Sequence, residues 1–210
     1  QVFKFIDYLS KMGYNSLMLY TEDTFLVDDE PMFGYLRGSY SHEELIEIVN
    51  YGEEKGIEVI PCIQTLAHLN AIFKWHLEYG KINDFNDILL IGEDRTYQLI
   101  ENIFKTIKKC FKSKYVHIGM DEAHMVGLGK YLDKHGFTNR FELLSQHLNK
   151  VVDIAKEYEL SPIMWSDMYF RMQSNGNYYN PNIVVDDELI NQVPEEVSKI
   201  GSYAFYKCSS

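Results

Sequence analysis

Short apolar runs, each ending in a cluster of polar residues and each set off from the next by an amphipathic stretch, restrict what this chain can fold into. Ser16–Tyr20, Ile57–Ile63, Tyr115–Ile118 and Pro162–Trp165 read as buried strands, and Ile200–Tyr206 reads as a last one. Between them the apolar spacing becomes helical. Residues 2–12 carry Phe5, Ile6 and Leu9 and stop at Gly13. Ser41 and Glu44 have the form of a capping box, and Leu45, Ile48 and Val49 follow on one face, ending near Gly56. Ile100, Ile103, Phe104, Ile107 and Phe111 mark a third helix. Residues 139–158, with Leu144, Leu148, Val151 and Ala155, mark a fourth. Apolar strands alternating with helices make βαβ units and a parallel sheet.

The polar clusters Glu22/Asp23, His68, Asp121/Glu122 and Trp165/Asp167 all fall at C-terminal strand ends. That is how a TIM (β/α)8 barrel builds its active face. The strands amount to about five or six βα units where a closed barrel needs eight. Residues 1–210 are therefore expected to be one partial barrel domain, an incomplete fragment of the fold. Tyr169–Asn182, rich in Asn, Gly and Tyr, reads as a loop over the active face.

Composition removes several function classes. A formal net charge of -11 argues against nucleic acid, whose phosphates need clustered Lys and Arg. No apolar run approaches the roughly 18 residues that span a bilayer, and no signal peptide is visible, so no membrane partner is expected. Cys62, Cys110 and Cys208 are odd in number and widely spaced, which suits a reduced, cytoplasmic setting. Gln1 is not an initiator Met, which hints at sequence upstream. No G-x-G-x-x-G follows the first strand, and Gly127-Leu128-Gly129-Lys130 lacks the first half of a phosphate loop, so no nucleotide cofactor is expected.

The chemistry concentrates at Tyr115-Val116-His117-Ile118-Gly119-Met120-Asp121-Glu122-Ala123-His124. An apolar strand here ends in two adjacent carboxylates, which are costly to bury together unless a site uses them. Two carboxylates in one pocket titrate apart, and an ionised acid beside a protonated one suits glycosidic bond cleavage. His68 is placed to tune the pair, and Trp165 to wall a sugar ring. Other readings stay open: Asp121 and Glu122 as the N-cap and first turn of a helix, His68 as a structural histidine, Trp165 as core. His117, inside the strand, reads as structural or supporting. His42, His76, His135 and His147 read as solvated. A metal site from His117, Asp121, Glu122 and His124 matches no ligand spacing, and none is expected.

His117-Ile118-Gly119-Met120-Asp121-Glu122 resembles the H-x-G-G-D-E signature of family 20 glycoside hydrolases, the β-N-acetylhexosaminidases, with Met120 in place of the second Gly. Tyr20-Thr21-Glu22-Asp23, Phe33-Gly34-Tyr35-Leu36-Arg37-Gly38, Gln64-Thr65-Leu66-Ala67-His68-Leu69 and Met164-Trp165-Ser166-Asp167-Met168 resemble the bacterial subgroup that keeps that Met. The resemblance implies an exo-acting, retaining enzyme that removes terminal β-linked GlcNAc or GalNAc from glycans and glycoconjugates without a cofactor. The substrate's own 2-acetamido oxygen would attack the anomeric carbon and give an oxazolinium intermediate. By the match, Asp121 orients the acetamido group, and Glu122 protonates the leaving oxygen and then activates water. His68 and an acid at the first strand end, Glu22 or Asp23, would couple to Glu122. Trp165 would line the acetamido pocket, with Asp167 beside it. Tyr203 is aligned with a Tyr-x-Asp pair of the family whose Asp is absent here. The family's sugar-gripping Arg would lie upstream of residue 1, and its final strands beyond residue 210. On that basis the 210-residue piece alone is expected to be inactive or feeble. A catalytically lapsed sugar-binding barrel and a metal-dependent barrel hydrolase are the alternatives, and a homodimer is compatible with either.

Overall fold

A computed structural model describes residues 1–170, 199 and 200. Helix α1 (Val2–Lys11) leads into strand β1 (Ser16–Tyr20). Helix α2 (His42–Glu54) follows a long ordered loop and leads into β2 (Glu58–Cys62). An excursion then carries short helices α3 (Asn70–Phe73) and α4 (His76–Tyr79) and a hairpin of β3 (Asn83–Phe85) and β4 (Ile88–Leu89). Next come α5 (Asp94–Cys110), β5 (Tyr115–His117), α6 (Lys130–His135), α7 (Arg140–Glu157), β6 (Ser161–Met164), α8 (Asp167–Phe170) and β7 (Lys199–Ile200). The first four expected strands and the four long helices are present. Of the expected last strand only its start, β7, lies within the described residues, and most of Tyr169–Asn182 lies outside them.

The main sheet has the order β1-β2-β5-β6-β7, and its strands are parallel. Strand order that follows chain order, with right-handed crossovers, puts all the connecting helices on one face. They form a row there, α1 beside α2, α2 beside α5 and α5 beside α7. This is one arc of a (β/α) barrel, and its register sorts the side chains. Tyr20 pairs with Cys62, Cys62 with His117, and His117 with Ile163, so these positions share the face away from the helices. Val59, Pro61, Val116 and Met164 alternate with them and face the helices, where Leu45, Ile48, Ile103, Ile107, Leu148 and Val151 bury the core.

Local chemistry explains the element ends. Ser41 Oγ accepts from the Glu44 N–H at 3.2 Å, and Glu44 Oε2 accepts from the Ser41 N–H at 2.8 Å, a complete capping box on α2. The loop between β1 and α2 is held from inside by Phe25 and Phe33, edge to face at 5.4 Å. It is also held by Glu30, a buried acid that takes two bonds from Arg95 (2.7 and 2.6 Å), one from Asn102 (2.9 Å) and one from Tyr79 (3.0 Å). A buried charge persists only when its lone pairs are met in this way.

Candidate active site

The chain leaves β5 by a turn that only special residues tolerate. Gly119 (φ 73°), Met120 (φ 73°) and Glu122 (φ 54°) are all in the left-handed region. Strained backbone of this kind persists when its surroundings over-determine it, and it clusters at functional sites. Three supports are visible. The Gly119 N–H donates to His117 Nδ1 at 3.1 Å. The Trp165 N–H donates to the Gly119 carbonyl at 3.0 Å. Asp167 Oδ2 accepts from the Glu122 N–H at 3.0 Å. The turn sends Asp121 and Glu122 to one side of the sheet end, where an unbroken strand would have split them between faces.

His68 lies between the two carboxylates. Its Nε2 is 3.2 Å from Asp121 Oδ2 and 3.9 Å from Glu122 Oε2. Its own backbone has φ 60°, and its N–H is caught by Asp87 Oδ2 at 3.0 Å. Asp121, with a side chain 22% exposed, also accepts from Gln64 Nε2 at 3.0 Å. Glu122 is more open, at 47%. Trp165 is half-exposed, and its ring lies 4.6 Å from that of His117. Asp167 is buried beneath the pair, and burial first of all, with the charge of Asp121 adding to it, pushes its carboxyl above the usual carboxylate range. Burial lowers the His117 imidazole to about 4. It is therefore neutral, with its proton on Nε2 and Nδ1 free to accept from Gly119.

Several expectations change here. The N-cap reading of Asp121 and Glu122 is not what forms, since both precede α6 in irregular backbone. His68 sits nearer to Asp121 than to Glu122. Glu22 and Asp23 turn to Arg37 and not to His68: Arg37 Nη2 is 3.4 Å from Glu22 Oε2, and Arg37 Nε is 3.2 Å from Asp23 Oδ1. Their carboxylates have two geometric reasons to do so, the left-handed φ of 48° at Glu22 and the near-complete burial of Asp23. Tyr203 lies outside the described residues. His147, read as solvated, is wholly buried; its Nε2 donates to the Thr65 carbonyl at 2.9 Å and its Nδ1 accepts from the Tyr97 hydroxyl at 3.3 Å. It thereby props the segment that carries Gln64 and His68. His42 is only partly exposed, beside Asp28 and Lys109.

Two supports escaped the sequence reading. Gln64 bonds directly to Asp121, yet it was noted only as part of the Gln64–Leu69 segment and was given no role. Asp84, buried in β3, accepts from the Gly127 N–H (2.7 Å) and the Tyr131 N–H (2.8 Å), and so braces the loop that follows the two carboxylates. No group of three or more His, Cys, Asp or Glu among the described residues is arranged to hold a metal ion.

The model of the glycosyl hydrolase family 20 catalytic domain matches residues 1–193. The chain belongs to glycosyl hydrolase family 20. Among curated relatives, beta-hexosaminidase 3 of Arabidopsis thaliana is 26% identical over 168 residues, covering 77% of this chain and 31% of that protein. A beta-hexosaminidase of Vibrio furnissii is 32% identical over 109 residues, covering 45% of this chain and 18% of that protein. The chain thus spans less than a third of the length of either. Among solved structures, the N-acetyl-beta-hexosaminidase of Streptomyces plicatus in complex with Thio-NAglucal superposes with a TM-score of 0.66 at 22% identity, over 80% of this chain and 36% of that one. The family 20 exo beta-N-acetylglucosaminidase of Vibrio harveyi, in complex with N-acetylglucosamine, gives 0.69 at 18% identity, over 87% and 34%. These likenesses establish the fold, and the parallel arc described above is part of a family 20 (β/α) barrel.

Proposed function

We propose that the protein is an exo-acting β-N-acetylhexosaminidase that removes terminal β-linked GlcNAc or GalNAc from glycan ends by a retaining, substrate-assisted mechanism. One observation carries this reading: two adjacent carboxylates in different settings at one strand end, in a chain of this family. Asp121 is the deeper, with Gln64 Nε2 donating to Oδ1 and His68 Nε2 lying 3.2 Å from Oδ2. It is built to stay a hydrogen-bond acceptor, which is what steering an acetamido N–H and steadying a developing positive charge require. Glu122 is the more open, and its backbone is pinned by Asp167. With its side chain 47% exposed, it is the carboxylate placed to meet a leaving oxygen, give it a proton, and then take one from water.

With the nucleophile in the substrate, the enzyme needs an acid/base group and an electrostatic partner, and no second nucleophilic carboxylate. The half-exposed face of Trp165 suits an apolar wall beside the acetamido methyl. The free, buried thiols of Cys62 and Cys110 support a reducing, cytoplasmic setting. The test is turnover of a nitrophenyl N-acetyl-β-glucosaminide by the full-length protein. Glu122→Gln and Asp121→Asn should each lower kcat about 100- to 10,000-fold, within the range of an acid/base or electrostatic group. A thiazoline mimic of the oxazolinium ion should inhibit the unsubstituted protein. Binding of the mimic without any turnover would favour a lapsed, sugar-binding barrel.

A further inference from the structure

Gln64 is almost wholly buried at 2% exposure, and its amide is shared between two partners. Nε2 lies 3.0 Å from Asp121 Oδ1 and 3.2 Å from the Tyr20 hydroxyl. The network fixes which end of the amide is which, because the Asp121 carboxylate only accepts and must be met by the NH2 group. Tyr20 in turn donates to Glu22 Oε1 at 3.3 Å, and burial first of all pushes its phenol up to about 12, so the hydroxyl keeps its proton. Gln64 therefore donates both ways, to Asp121 on one side and to Tyr20 on the other, and Tyr20 donates onward to Glu22, which Arg37 anchors.

The packing is as specific as the bonding. A Cβ at Gly119 would fall 2.0 Å from Gln64 Oε1 and 2.6 Å from Gln64 Cδ, so the carboxamide lies flat on the glycine that opens the strained turn. Gln64 Oε1 is buried and has no hydrogen-bond partner among the described residues. Leaving an acceptor unmet costs free energy. The network uses the donor of this amide and leaves its acceptor unmet.

We propose that Gln64 is a positioning residue for the reaction, a neutral buried donor that holds the Asp121 carboxylate aimed while its amide face fills the space at Gly119. The inference rests on the hexosaminidase reading for its kinetic consequence. Its chemical content is that the residue must donate and must be uncharged. Asp121 already has Glu122 beside it and Asp167 beneath it, and a further carboxylate would add like charge where a donor is needed. The titratable groups facing this pair are Tyr20 from β1, Cys62 from β2, His68 from the loop after β2, His117 from β5, Glu122 from the turn and Asp167 from α8.

Two substitutions in the full-length protein separate these requirements. Gln64→Leu removes the donor and keeps the volume. It should lower kcat about 10- to 100-fold, the worth of a hydrogen bond to a charged group, with KM changed much less and the pH optimum in place. Gln64→Glu replaces the donor with an acid. Only the protonated acid can donate to Asp121, so activity should be confined to the acid side and the pH optimum should fall by at least one unit. Each kcat is referred to sites titrated with the thiazoline mimic, which removes the effect of any misfolded fraction. Unchanged kcat and pH profile in both variants would overturn the proposal. A readout without turnover is the thermal unfolding of Gln64→Leu, Asp121→Asn and the double variant. Donation to Asp121 predicts that the two losses are not additive, and additive losses would overturn it. If the unsubstituted protein hydrolyses no N-acetylhexosaminide, the proposed function falls, while this unfolding cycle still decides the role of Gln64.

Discussion

At the level of single residues, the site is made by neighbours that decide protonation and direction. His117 and His147 show this most clearly, since burial holds both near 4 while an ordinary histidine titrates near 6.5. Unfolding frees them to take up protons, so between those pH values the unfolded chain binds more protons than the native one. Stability is then fully present above about pH 6.5 and is lost as pH falls toward 4, by roughly 3 kcal/mol for each histidine. Urea unfolding at pH 7 and pH 4.5 should show the decline. It should be shallower in His147→Gln, whose amide can still donate to the Thr65 carbonyl but cannot titrate. An equal decline in that variant would remove His147 from the explanation. The sequence showed that His117 belonged to the strand, and helical spacing put His147 on the apolar face of α7, although a lone histidine there was read as solvated. Its position on α7 lies next to Leu148 and only one turn from Leu143 and Leu144.

The secondary-structure elements divide into those that periodicity reveals and those that only tertiary contacts create. Leu45, Ile48 and Val49 on α2 and Ile100, Ile103 and Ile107 on α5 were legible because a helix that covers a sheet must repeat its apolar face. Strands β2, β5 and β6 were legible for the matching reason, since strands buried on both faces read as continuous apolar runs, whereas β1, read as buried from the same kind of run, leaves Met18 and Tyr20 exposed. The excursion between β2 and α5 was not foreseen, because its pieces are only two to four residues long. Asn83-Asp84-Phe85-Asn86-Asp87, ahead of Ile88-Leu89-Leu90-Ile91, did carry a hairpin signal, with Asn86 at φ 47° in the turn. That hairpin supports the site at two points, through Asp87 under His68 and Asp84 under the 127–131 segment. Asp84→Ala strips the partners from two backbone N–H groups, one of them fully buried. It should cost roughly 2–4 kcal/mol, and it should lower kcat in the folded fraction because the carboxylate turn loses its brace. Denaturant unfolding and site-titrated kinetics would check both, and a stability loss with unchanged kcat would show the hairpin to be scaffold alone.

For the molecule as a whole, the arc β1-β2-β5-β6-β7 gathers residues from four strand ends, and the chain order of the strands makes that inevitable once each βα unit has the same hand. Glu22, Gln64, His68, Asp121, Glu122, Trp165 and Asp167 come together although 145 positions separate the first from the last. The family signature made the two carboxylates legible. The partition of the acids was not legible, because Arg37 reaches Glu22 and Asp23 across a loop whose path no local pattern encodes. The central claim is that Asp121 and Glu122 serve a nucleophile carried by the substrate, and a series of N-acyl substituents tests it most directly. The full-length protein should be given nitrophenyl β-glucosaminides bearing acetyl, fluoroacetyl, difluoroacetyl and trifluoroacetyl groups. If the acyl oxygen is the nucleophile, each fluorine weakens it, and kcat/KM should fall steeply and steadily, by orders of magnitude across the series. A kcat/KM that stays level from acetyl to trifluoroacetyl would contradict the assignment, for it would mean that the protein, and not the sugar, supplies the attacking group.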